Sequence, residues 1–355
     1  MNNLTVALAA LGGVVLAGVV VHGAWQARKA DPKRADAPTG HAHGDPRAEP
    51  SLDDTVPMDG AAADASASAE PTAHDLKLPR RAPLRIDALI DAIAGMQLDP
   101  PVSGDLVLAH LPPSRRAGSK PLLIEGLNAD NGEWESPVPG QRYSEFQAGV
   151  QLANRTGALN EIEFSEFVHK VQAFADGVGA MPDFPDMLEV VARARELDAF
   201  ASDCDAQLAV LLRARSAAWS VAYVQQHAGR HGFTPGSVPG RMVLPASEDG
   251  APPVLTLTFD SQAALADDPN ISAVRELTLS FDVPQTSAEA QPFQAWQGAA
   301  EALAKDLDAA LGDDSGRPLS GKDFDDIGSQ LGQLYEMLQA RDLAAGSAAA
   351  RRLFS

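Results

Sequence analysis

Leu277-Thr278-Leu279-Ser280-Phe281-Asp282-Val283 sets four large apolar side chains on its odd positions and three polar ones between them. Successive side chains on a strand point to opposite faces, so this stretch has one face for a core and one left open. That pattern belongs to an antiparallel sheet covered by helices on one side only. A helix to cover it follows in sequence. Phe293, Trp296, Ala300, Leu303, Leu307 and Ala310 recur every three or four residues, an apolar helical stripe.

Upstream, residues 254–259 and 242–244 read as two further strands joined by the turn signal Glu248-Asp249-Gly250, and residues 207–212 as an opening strand. Between the opening strand and the hairpin lies a helix-like stretch closed by Gly229-Arg230-His231-Gly232, where glycine suits the left-handed exit. A similar order of landmarks occurs earlier in the chain. Residues 88–93 form an apolar run, and Arg115-Arg116-Ala117-Gly118 closes a helix-like stretch. Residues 122–124 make a short strand, Asp130-Asn131-Gly132 a turn, and residues 147–152 and 167–174 two more strands. An amphipathic helix through Phe184, Met187, Val191 and Leu197 then stands opposite the 293–310 helix, with Glu196-Leu197-Asp198-Ala199-Phe200 matched to Asp306-Leu307-Asp308-Ala309-Ala310. The chain therefore reads as a duplicated β-α-β-β-β-α unit. The fold class expected is α+β, with two split-βαβ, ferredoxin-like units and antiparallel-rich sheets. A last helix over residues 320–338 opens with Ser320 and Asp323 in capping-box positions, and its Ile327, Leu331, Leu334 and Leu338 are expected to face the second unit.

Residues 4–25 carry no formal charge. As a helix at ~1.5 Å per residue they span about 33 Å, enough for a ~30 Å hydrocarbon layer. No Lys or Arg precedes them, as a cleaved signal peptide would want, while Arg28, Lys29, Lys33 and Arg34 follow. The positive-inside rule places the N-terminus in the periplasm and the rest in the cytoplasm, a single-pass protein of the cell inner membrane. Leu4 opens the anchor and Trp25 closes it as an interfacial aromatic; Ala9, Gly13 and Ala17 form a small-residue stripe of a kind such helices also show by chance. Residues 27–83 are mostly Ala, Pro, Asp, Ser and Gly, a composition that cannot offset its ordering entropy and reads as a disordered linker. The domain plan is thus an anchor over 1–26, a linker over 27–83, units over 84–204 and 205–340, and a tail over 341–355.

The 28 Lys and Arg against 48 Asp and Glu leave a net charge of −20, which disfavours nucleic acid. Cys204 is the single cysteine, so disulfides within the chain and cysteine-rich zinc sites are ruled out. No phosphate loop, dinucleotide fingerprint or nucleophile elbow occurs, and His110, His169, His227 and His231 form no HExxH zinc motif. Asp323-Phe324-Asp325-Asp326 has no calcium-loop glycine, and Asn154-Arg155-Thr156 is a glycosylation sequon without meaning in the cytoplasm. A binding protein is expected over an enzyme, with no cofactor, metal or small-molecule substrate.

The plan of anchor, basic residues, acidic tether and C-terminal split-βαβ domain resembles the ZipA-type cell-division family. Gly232-Phe233, Pro253-Val254-Leu255 and the run from Leu277 to Pro284 look like segments of that family's C-terminal domain, and Leu152-Ala153-Asn154 like its Leu-Ala-Asn strand end. The resemblance implies a membrane tether that binds the C-terminal tail of FtsZ on the open sheet face during septum assembly. It carries Ala153 over as a groove position. Two departures stand out. The family has one such domain, and this chain reads as two. The open face of the second unit offers Thr256, Thr258, Thr278 and Ser280 where the family presents apolar groups. A membrane-anchored adaptor for a different cytoplasmic protein is the alternative.

Overall fold

A computed structural model of the chain describes residues 84–248 and 250–355. The anchor and linker expected over residues 1–83 lie outside the described residues, and no described helix is long and apolar enough to cross a membrane.

The described chain is α+β with antiparallel sheets. Its first half runs β1 (Asp91–Ser103), α1 (Gly104–His110), β2 (Arg116–Ala117), β3 (Lys120–Asn128), β4 (Trp134–Glu135), β5 (Arg142–Gln151), the small hairpin β6 (Ala153–Asn154) and β7 (Gly157–Ala158), α2 (Glu161–Val178), β8 (Met181–Asp183) and α3 (Met187–Cys204). The first sheet has the order β2-β3-β5-β1-β8, with β4 beside β3. The second half runs β9 (Gln207–Ala214), α4 (Val221–Arg230), β10 (Thr234–Pro235), β11 (Arg241–Leu244), β12 (Leu255–Thr258), α5 (Ser261–Ala264), β13 (Glu276–Asp282), α6 (Pro292–Leu307), β14 (Ala309–Gly312) and α7 (Gly321–Gln339). Its sheet has the order β10-β11-β12-β13-β9-β14. A short helix, α8 (Ala348–Leu353), ends the chain.

The halves share a plan, although their matching parts differ from those expected. In each, a first strand and a helix lead to antiparallel strands, then a long helix, an edge strand antiparallel to the first strand, and a second long helix. Thus α2 corresponds to α6, and α3 to α7. The expected strand at 167–174 is instead the middle of α2. Phe164, Phe167, Val171, Phe174 and Val178 step around one helical face and are all buried, and Asn160 with Glu163 closes a capping box at the start. Both sheets have six strands, but in the first the short β4 lies off the main path, and β5 takes the place beside β1 that β13 takes beside β9. Two smaller corrections follow the hydrogen bonds. Residues 88–90 form a turn held by the Asp87 carbonyl, and the basic run before Gly118 forms β2 after a helix that has already ended at His110.

The second core forms as the alternation requires. Leu277, Leu279, Phe281 and Val283 are buried with Trp219, Trp296 and Leu303. Both indoles also find backbone acceptors, Trp219 at Leu307 (2.8 Å) and Trp296 at Leu279 (3.0 Å), which removes the cost of burying an N–H.

The largest correction concerns the end of the chain. Residues 341–355 are not a tail: Leu343, Ala350, Leu353 and Phe354 are buried in the core of the first half, together with Leu338 of α7. The expected apolar face of α7 is split, with Leu331 in the second core, Leu338 in the first and Leu334 touching both. The chain thus returns to where it began. Arg352 donates to both carboxylate oxygens of Asp91 at 2.6 and 2.8 Å and to the Arg85 carbonyl at 2.7 Å, with both side chains buried. Burial pushes the Asp91 carboxyl up, and the guanidinium pulls it back.

Removing one partner of such a pair strands a buried charge. Arg352→Met is expected to destabilise the chain by about 3–5 kcal/mol in urea unfolding. The double change Arg352→Met with Asp91→Leu should recover most of that loss. Equal stability of Arg352→Met and wild type would show that the pair is dispensable.

Candidate binding face of the second sheet

Helices α4 and α6 cover the face of the second sheet that carries Val210, Leu257 and Leu279. The opposite face is set by register. Val243, Thr256, Ser280 and Ala209 are successive partners across β11, β12, β13 and β9. Arg241, Thr258, Thr278 and Leu211 form the next row. The four sequence-derived residues Thr256, Thr258, Thr278 and Ser280 therefore meet as one two-by-two tile, from strands brought together only by folding. Larger side chains flank it, Arg241 and Val243 on one margin and Leu211 on the other. At ~4.8 Å between strands the margins lie roughly 14 Å apart, about the width of an extended peptide with its side chains.

The tile is polar, uncharged and small. Arg241 donates from Nη2 to the Thr256 hydroxyl at 3.2 Å, and the Thr258 hydroxyl reaches the Thr278 carbonyl at 3.4 Å. Thr256, Thr258 and Thr278 are half-buried, and Ser280 is 7% exposed. Its chemistry is donation and acceptance of hydrogen bonds. No histidine stands on β9, β12 or β13 to activate a hydroxyl.

Ala153 belongs elsewhere. It pairs with Ala158 in the β6–β7 hairpin and is 0% exposed, so it cannot touch a partner. The sequon around it is structural too. The Asn154 carboxamide oxygen accepts from Lys120 Nζ at 2.7 Å, and Lys120 also donates to Thr156 Oγ1 and the Gly157 carbonyl. Burial pushes the Lys120 ammonium down. Its three N–H groups have three acceptors, which marks a tie that pins the hairpin. Arg155, the middle residue of the sequon, ties the halves together through Asp205 (2.6 Å) and Asp282 (2.7 Å), two carboxylates that push its pKa up. Burial raises the Asp282 carboxyl, against the pull of Arg155. None of these partners is close to Arg155 in sequence, so no local pattern could have revealed them. The anchor residues Leu4, Gly13, Ala17 and Trp25 and the basic Arg28, Lys29, Lys33 and Arg34 lie outside the described residues.

On the helical side, His231 Nε2 donates to Asp306 at 3.0 Å, and this bond holds the Asp306 carboxyl below its ordinary range. The described residues contain no group of three or more His, Cys, Asp or Glu placed to hold a metal. Comparison with protein-family models and with curated proteins finds no match.

Three measurements follow. Ala153→Leu should overpack the hairpin and cost about 1–3 kcal/mol in denaturant unfolding. Thr278→Val, on the hydroxyl tile, should change stability by no more than about 0.5 kcal/mol. The Asp306 carboxyl is depressed in the folded state, so its contribution is present above the ordinary carboxylate pKa. It is lost as pH falls through the folded value. His231→Ala should therefore flatten the acid limb of the pH–stability curve below about pH 4.

Proposed function

We propose that this chain is a membrane-anchored protein-binding adaptor of the ZipA type, displaying the open face of its second sheet to an extended peptide on the cytoplasmic side of the inner membrane. The observation that carries this reading is the arrangement of the second half. Apart from the one-turn α5, a β-α-β-β-β-β-α-β order puts helices on one face of an antiparallel sheet and a trough of small side chains on the other. Residues 4–25 supply the anchor, and residues 27–83 the reach. With FtsZ as partner, the protein tethers the division ring to the membrane. No step of this role needs catalysis.

A different cytoplasmic partner is the second reading, and the tile favours it. An apolar tail gains roughly 1.5–3 kcal/mol for each large side chain it buries against apolar groups. Thr256, Thr258, Thr278 and Ser280 offer little of that and suit a peptide with polar side chains.

The test is titration of the cytoplasmic part of the chain, residues 27–355, with a peptide copy of the FtsZ C-terminal tail. Saturable binding that Thr278→Lys weakens ten-fold or more is the expected result. No binding, together with a fluorescent fusion spread evenly around the cell instead of gathered at midcell, would shift the assignment to the second reading. Recovery of the full chain in the soluble fraction would sink both.

A further inference from the structure

The helix-free face of the first sheet has a different character, and part of the chain lies on it. Phe146 of β5 meets Phe174 of α2 edge-on at 5.3 Å, so Phe146, Ala148 and Val150 face the helices. Gln147 and Gly149, which alternate with them, face away. Ile93, Gly149 and Leu123 are successive partners across β1, β5 and β3, and so make a row with an empty centre. The Ile86 side chain sits over that centre: a Cβ built on Gly149 would stand 3.0 Å from two Ile86 carbons. A glycine between two apolar neighbours thus forms a recess, and one side chain from the segment before β1 fills it.

The next row holds the polar half of the contact. Glu125, Gln147 and Gly95 are register partners, and the Glu125 side chain is 2% exposed. One carboxylate oxygen accepts from the Ile86 N–H at 3.1 Å and from Arg85 Nε at 3.1 Å; the other accepts from Gln147 at 2.9 Å. A buried carboxylate needs a cation and N–H donors. Here the cation and the backbone N–H both come from the overlying segment, whose own side chain of Arg85 remains largely exposed. Next to the contact, the Arg85 carbonyl accepts from Arg352 and the Asp87 N–H donates to Asp91; further on, the Ala88 carbonyl accepts from Arg193 and the Ile90 carbonyl from the Leu152 N–H, so the segment is hinged on β1.

We propose that the helix-free face of the first sheet is a peptide-binding groove, occupied by the chain's own Arg85-Ile86, and that its ligand class is an extended segment in which a basic residue precedes a β-branched apolar one. The recess at Gly149 selects the apolar side chain by size. Glu125 selects the cation and fixes the backbone. A partner segment of that chemistry binds by exchanging with the resident strap, whose occupancy lowers the apparent affinity of any competitor. This holds whether or not the second sheet binds a partner.

The test uses the whole chain and a labelled, end-blocked peptide copy of residues 82–89. A chain with the strap disabled, Arg85→Glu with Ile86→Asp, is expected to bind the peptide at least ten-fold more tightly than wild type. Adding Gly149→Val to that chain should abolish the gain, because the new side chain fills the recess. Equal binding by wild-type and strap-disabled chains, or no binding by a strap-disabled chain that melts cooperatively, overturns the proposal. Hydrogen exchange on the wild-type chain keeps it falsifiable if that variant does not fold. The Ile86 amide should exchange at least a hundred-fold faster than those of Ala148 and Val150, through local opening of the strap. Exchange in step with them would mean that the segment is a fixed part of the fold, and would overturn the proposal.

Discussion

The buried pair of Arg352 and Asp91 joins the last turn of the chain to the first residue of its first strand, across 261 positions of sequence. Neither charge has an adequate local partner, so each commits the other. Asp91 also accepts the Asp87 N–H, and Arg352 donates to the Arg85 carbonyl, so the same node borders the segment that crosses the first sheet. Around it, Leu353 and Phe354 enter the core of the first half, and Gln285 of the second half donates to the Phe354 carbonyl. The two halves are consequently not independent beads on a string. The second half ends inside the first, and Arg155 on the other side of the seam repeats the connection through Asp205 and Asp282.

This closure gives the two sheets different surroundings from a similar plan. The helix-free face of the first sheet carries a recess, a buried carboxylate and the chain's own Arg85-Ile86. The corresponding face of the second carries four hydroxyls between larger margins. The two faces therefore ask for different ligands. A glycine recess beside a buried acid discriminates by size and charge, whereas a hydroxyl tile offers hydrogen bonds at many positions and rejects little.

The sheet strands were legible because burial on one face imposes a two-residue period. Leu277, Leu279, Phe281 and Val283 reported their own direction, and with it the placement of Thr278 and Ser280. The hydroxyl tile followed directly from that alternation. The helix α2 was misread because its middle, taken alone, starts and ends on phenylalanine and holds two valines, a composition that also suits a strand. Its identity is settled by the cap at Asn160, seven residues before that window, and by a buried stripe longer than it. Ala153 was misplaced for another reason. A three-residue likeness fixes local geometry at best, and whether that geometry faces solvent depends on what packs above it.

Local periodicity and turn chemistry therefore determined from the sequence alone that this is an α+β chain with two similar halves, antiparallel strands and an apolar N-terminal segment of spanning length. Those properties depend on residues a few positions apart. Tertiary structure alone decided that the last fifteen residues send Leu343, Ala350, Leu353 and Phe354 into the core, that the sequon is a structural tie, and that the first sheet is crossed by the segment leading into it. Each of these rests on a contact between residues tens to hundreds of positions apart. Lys120 with Gly157, Ile86 with Gly149 and Asp91 with Arg352 carry no periodic signal along the chain, because the energy that selects them exists only once both partners have left water.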